Sequence, residues 1–98
     1  MVTHVDSIEN LQELREYVNA KLCEIFELQI GAFPITEKTL SRAGKPCGIY
    51  FCLHGPRAVR FTAIWESERN QVLFYGPNGE RILKSQLIEG PQMECAAA

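Results

Sequence analysis

A chain of 98 residues, 46% apolar and 22% charged, is long enough for one hydrophobic core and too ordinary in composition for whole-chain disorder. Its 10 Lys and Arg stand against 12 Asp and Glu, so the marked basic excess of a duplex-binding domain is missing and any nucleic-acid role must rest on a local patch. Met1 to Asp6 shows neither the basic start nor the apolar run of a leader, and no apolar stretch approaches the ~20 residues of a spanning helix. The expectation is a cytoplasmic chain with no membrane contact, in which the four cysteines, at 23, 47, 52 and 95, are reduced thiols.

The first element is a long N-terminal helix over about 7–29. Ile8, Leu11, Leu14, Val18, Leu22, Ile25 and Phe26 recur at three- and four-residue steps. Projected at about 100° per residue they fill one arc of roughly 120°. Glu9, Glu13, Glu16, Glu24 and Glu27 fall outside it, as a solvated face requires. Asp6 with Glu9 has the form of a capping box, Ser7 competes as the cap, and Gly31 offers a left-handed C-cap before Pro34.

Residues 32–48 carry a weaker pattern. Thr36 is suited to cap a short helix running through Leu40 to Gly44, with Ile35 and Leu40 at the two positions of a hydrophobic staple. A strand beginning at Phe33 is the alternative.

From Ile49 the period becomes two. Ile49, Phe51 and Leu53 alternate with Tyr50, Cys52 and His54, and Val59, Phe61, Ala63 and Trp65 alternate with Arg60, Thr62 and Ile64. Ser67 to Asn70 is a polar turn, Gln71 to Tyr75 a third strand, and Gly76-Pro77-Asn78-Gly79 a strong turn signal before a fourth strand over Arg81 to Leu87. The fold class is therefore α+β: a long N-terminal amphipathic helix packed on a three- to four-stranded antiparallel β-meander, with a short helix between them. Residues 1–88 are read as a single domain and 89–98 as a flexible C-terminal tail. The two segments Gly55 to Phe61 and Gly76 to Ile82 share the form G-P-x-x-x-R-apolar, which two similar turns explain without a repeat architecture.

Motifs that would assign chemistry are few. Cys47, Cys52 and His54 form C-x₄-C-x-H, with Cys23, His4 or Cys95 as a fourth donor, but the tight paired knuckles of structural zinc sites are missing. Cys52 and His54, two apart on a strand, are poorly placed for a thiol–imidazole hydrogen bond, and half-buried apolar packing is the commoner role for such a Cys. Cys23 lies about 120° from the centre of the helix's apolar arc and is expected as an exposed, reactive thiol. Neither G-x₄-G-K-[ST] nor G-x-G-x-x-G occurs, and Pro46 removes a donor that a phosphate cradle at Gly44-Lys45 would need. No metal, cofactor or catalytic residue is assigned, and a non-catalytic protein is the expectation.

The second sheet face is more informative. With Ile49, Phe51, Leu53, Val59, Phe61, Ala63 and Trp65 against the helix, Tyr50, Cys52, His54, Arg60, Thr62 and Ile64 turn the other way, joined by Tyr75 or Leu73. Residues 32–44 or the C-terminal segment would cover this face in the plainest reading. Left open, it suits a binding module with candidate contacts Tyr50, His54, Arg57, Arg60, Ile64 and Tyr75, its partner an unidentified protein or a second copy in a homodimer. Single-stranded RNA stacked on Tyr50, His54 and Tyr75 beside Arg57 and Arg60 is the weaker alternative, lacking the RNP aromatic pattern. A Cys-dependent or zinc protein comes third. Arg57 and Arg60 would equally pair with Glu66, Glu68 or Glu80, for little energy.

Overall fold

The computed structural model describes residues 2–5, 8 and 10–87, with side chains from Ile8 onward. A short strand β1 (Val2–Val5) leads to helix α1 (Leu11–Ile25), followed by β2 (Ile35–Arg42), β3 (Lys45–His54), β4 (Arg60–Glu66), β5 (Gln71–Tyr75) and β6 (Arg81–Leu87). The strands form one sheet in the order β1-β6-β5-β4-β3-β2. Strands β2 to β6 are a continuous antiparallel meander, and β1 adds to β6 in parallel, Val2 opposite Lys84 and Val5 opposite Leu87. The α+β class holds, with five antiparallel strands where three or four were expected and a parallel sixth that was not.

Helix α1 begins where Asn10, in extended conformation, accepts a hydrogen bond on its side chain from the Glu13 N–H at 2.9 Å. That cap satisfies one of the otherwise orphaned donors of the first turn. The capping pair read at Asp6 and Glu9 lies outside the described residues, as does the 89–98 tail. At the other end Glu27, at φ 55°, is the left-handed residue that closes the helix, while Gly31, also at positive φ (84°), lies in the loop beyond. Leu28 N–H then reaches the Cys23 carbonyl at 2.8 Å and Glu27 N–H the Glu24 carbonyl at 3.4 Å, the paired bonds of a Schellman stop. The helix is consequently shorter at both ends than the 7–29 span.

Its apolar row packs over the inner face of β3 and β4. Leu14, Val18 and Leu22 are fully buried in one cluster with Phe51, Leu53, Ala63, Trp65, Val72 and Phe74. Removing any one of the buried leucines would cost about 2–5 kcal/mol. Phe26 extends this contact by stacking on Phe61, ring centroids 4.0 Å apart. On the opposite flank Tyr17 meets the Phe74 ring edge-on at 6.2 Å, and its hydroxyl and that of Ser85 share a 2.6 Å hydrogen bond. Ser85 is fully buried, so this bond answers for a hydroxyl that water cannot reach.

The short helix expected from Thr36 is a strand. Thr36 stands opposite Cys52 and Thr39 opposite Ile49, and the chain returns through a two-residue loop, Ala43-Gly44, both at positive φ (52° and 80°) between the paired Arg42 and Lys45. Extended pairing wins because β3 offers a full ladder of backbone groups, whereas an isolated single turn of helix has nucleation cost and little to bury. β2 shows no period of two because it is an edge strand with little apolar contact to α1; only Ile35 and Leu40 are even half-buried. An inner-side contact to it is polar: Arg15 grips Glu37 with two bonds of 2.7 and 3.0 Å.

The two Gly-Pro segments turn out as related loops. Gly55 N–H bonds the Val59 carbonyl at 2.8 Å and Gly76 N–H the Glu80 carbonyl at 2.9 Å, the same four-residue closure in each. In the first, Pro56–Ala58 forms a 3₁₀ turn in which Arg57 and Ala58 hold φ of 60° and 62°; in the second, Gly79 takes the positive φ.

Two outcomes follow. Ala43→Asn places a residue tolerant of left-handed geometry where Ala is strained, and should raise the unfolding free energy by up to about 1 kcal/mol, read from denaturation followed by the fluorescence of Trp65, the single tryptophan. Tyr17→Phe should cost about 1–3 kcal/mol by orphaning the Ser85 hydroxyl, and Ser85→Ala added to it should recover part of the loss; purely additive effects would mean that the two hydroxyls are not coupled.

Candidate functional site on the outer sheet face

Because strand side chains alternate, the helix on one face determines what the other presents. Cross-strand register lines up Lys38, Tyr50, Ile64, Leu73 and Lys84 in one row over β2, β3, β4, β5 and β6. A second row holds Thr36, Cys52, Thr62, Tyr75 and Arg81, and a third pairs His54 with Arg60. Opposed residues in such rows lie about 4.5–5.5 Å apart at Cβ, so each row is a continuous surface. Cys52 and Leu73, each 7% exposed, are covered on this face although neither belongs to the core under α1. Tyr50, Ile64 and Tyr75 around them are half-buried.

The expected contact residues are thus partly assembled. Tyr50 and Ile64 are direct neighbours, with Tyr75 one row away; His54 and Arg60 sit together at the β3–β4 end. The His54 imidazole Nε2 is 3.0 Å from Thr36 Oγ1, not bonded to Cys52. Arg57 stands apart on the exposed hairpin loop. Among the described residues, no ion pair within 4 Å involves Arg57 or Arg60, so the pairing with Glu66, Glu68 or Glu80 is not formed. Nor do three His, Cys, Asp or Glu side chains gather into a metal-ligand group among the described residues, which leaves Cys47, Cys52 and His54 unassembled.

Cys23 requires a correction. It is 2% exposed, packed inside the core cluster, and its thiol points to Asn19 Oδ1 at 3.8 Å. Burial pushes its pKa above the ordinary 9.0, the opposite of an activated thiolate. A position well outside the arc drawn from the sequence is thus enclosed in the folded chain.

Two features escaped sequence reasoning. The first is charge segregation. From Ile35 to Leu87 the chain has eight Lys and Arg against four Glu, a net charge of +4, while residues 1–34 have two against six, a net charge of −4. Lys38, Arg60, Arg81 and Lys84 all take outer-face positions, with Glu66 the strand carboxylate there, held by the Gln71 amide at 2.6 Å. Counting charge over the whole chain hides this, and counting by element reveals it. The second is a cleft of about 350 Å³ at the end of the same face, lined by Leu40, Arg42, Cys47, Ile64, Glu66 and Arg69 among others.

The cleft follows from an irregularity. Leu40 pairs with Gly48 but Ser41 with Pro46, so Cys47 is the extra residue of a β-bulge. Any Cβ on Gly48 would collide with the Trp65 carbonyl oxygen, so only glycine permits this close approach of β3 to β4. Ser67 fastens the bulge from the opposite hairpin, its N–H and hydroxyl both donating to the Cys47 carbonyl at 3.0 and 2.9 Å.

No protein-family model, curated protein or solved structure matches the chain, so the geometry alone supports its functional reading.

The raised Cys23 pKa sets a pH dependence. The unfolded thiol ionises near its ordinary pKa, the buried one only above it, so this contribution to stability is complete below the unfolded value and declines as pH rises through it toward the folded one. Stability of the native chain should fall as pH rises through the ordinary thiol range, and Cys23→Ala should flatten part of that slope while lowering stability at pH 7. An unchanged slope in urea titrations would show that Cys23 ionises freely in the fold.

Proposed function

We propose that the protein is a small non-catalytic binding module whose contact surface is the outer face of the sheet and whose partner is a protein surface rich in carboxylates. The observation that carries this reading is the Lys38–Tyr50–Ile64–Leu73–Lys84 row, an apolar centre with a cation at each end. Protein interfaces are built on that plan, with an apolar core inside a polar rim. The +4 charge of the sheet segment supplies long-range attraction and selects an acidic partner over a basic one.

Charge also argues against the face-to-face homodimer. Two copies meeting across this surface would bring Lys38, Arg60, Arg81 and Lys84 of each against the same set in the other, which repels. Single-stranded RNA is the second reading, favoured by the same local basic excess. The surface favours protein over RNA because the middle of the face is aliphatic, Ile64 and Leu73, whereas base stacking needs freely presented aromatic rings, and Tyr50 and Tyr75 are both half-buried.

Replacing Tyr50 and Ile64 with Ser should leave the fold nearly intact and abolish association. The direct measurement is amide chemical-shift mapping at low salt with two probes, a peptide of alternating Glu and Leu and a mixed-sequence single-stranded RNA. Shifts centred on Lys38, Tyr50, Ile64 and Lys84 with the peptide, lost in the double variant, are expected. Preference for the RNA would move the assignment to nucleic acid; unfolding of the variant would place both side chains in the core and sink the proposal.

A further inference from the structure

The arginine-lined cleft beside the bulge has the features of a small-ligand site that adjoins the partner row and shares Ile64 with it. Arg42 arrives from the end of β2 and Arg69 from the β4–β5 turn, and both line the same cavity of about 350 Å³. That volume is at the lower end of the range small molecules occupy, about 300–1,000 Å³. Among the described residues neither guanidinium has a carboxylate within 4 Å, although Glu66 and Glu68 line the same space; Glu66 is already engaged by the Gln71 amide. Two like charges bordering one cavity raise each other's energy, and an oxyanion between them removes that repulsion and gains charge-assisted hydrogen bonds. Leu40 and Ile64 supply apolar lining beside them.

The surroundings are preformed. Ser67 fastens the bulge carbonyl, and Gln86 Nε2 holds the β4–β5 turn by donating to the Arg69 carbonyl at 2.9 Å and the Asn70 carbonyl at 3.1 Å. Asn70 in turn accepts from the Trp65 indole N–H at 3.2 Å. A site whose supports are fixed in advance loses little ordering entropy on binding.

We infer that this cleft binds a small organic oxyanion, a phosphate monoester or carboxylate with a compact apolar body, held between Arg42 and Arg69 with the body on Leu40 and Ile64. Cys47, half-buried on the lining, reports on occupancy because the other described cysteines, Cys23 and Cys52, are buried.

The test uses phenyl phosphate and inorganic phosphate as probes, with chloride at matched ionic strength as control. Phenyl phosphate should shift the amides of Cys47, Gly48, Ser67 and Arg69 saturably, more tightly than inorganic phosphate does. It should also slow alkylation of Cys47, followed at that peptide by mass spectrometry. Arg42→Ala and Arg69→Ala, both at exposed positions, should each weaken binding about tenfold with Trp65 fluorescence unchanged. Non-saturating shifts equal to those with chloride, or full affinity in the double variant, would overturn the assignment. Ile64 belongs to both surfaces whereas Tyr50 lies on the partner row alone, so with Tyr50→Ser the cleft should still bind.

Discussion

One helix lying across one face of a meander decides the remainder of this molecule. Leu14, Val18 and Leu22 fill the inner face above Phe51, Ala63 and Trp65, and no second helix is placed on the other side among the described residues. Alternation then does the rest: every inward side chain on β3, β4 and β5 commits its two neighbours to the outside. The surface proposed to bind is therefore a by-product of the core, and its apolar character is tolerated because flanking lysines and arginines keep it wetted.

The charge distribution is the counterpart of that layering. Carboxylates gather on the solvent side of α1, where they cost nothing in burial, and the basic residues gather on the sheet segment. Arg15 and Glu37 join the two layers at the β2 edge, one bidentate pair linking an acidic layer to a basic one. Such a pair at the surface adds little to stability, but it sets where the edge strand lies relative to the helix. The molecule thereby acquires a pronounced electrostatic polarity at nearly zero net charge, a property useful for orienting an approach and invisible in an isoelectric point.

How much of this was legible depended on where a residue's surroundings came from. The helix and the strands over 49–54, 71–75 and 81–87 were readable because their own periodicity reflects the core they meet. β2 was not, because an edge strand past the helix has no buried face to imprint a pattern, and Thr36 with Leu40 happens to mimic a helix start. The loop Ala43-Gly44 lacks the Asn-Gly or Asp-Gly signature, so its hairpin went unannounced. Cys23 was misjudged because an arc drawn on an isolated helix ignores how far a sheet curls around it. The cleft depends on a bulge at Cys47 and a forced approach at Gly48, both properties of pairing between distant segments. Of the contact residues, Tyr50, Ile64 and Tyr75 were found by alternation; Lys38, Arg81 and Lys84 needed the register.

The parallel pairing of β1 with β6 carries a consequence for how the chain is made. Val2 and Lys84 stand at opposite ends of the described sheet in sequence, yet they are neighbours. Hairpins from β2 to β6 can zip in order as they emerge, each finding its partner one short loop away. β1 alone must wait, unpaired, until β6 exists, with the largest loop-closure penalty among the described strand pairings. During that interval the free edge of β6 over Lys84–Leu87 matches the four residues of β1 in any copy of the chain, so crowded synthesis favours exchange of β1 between nascent chains.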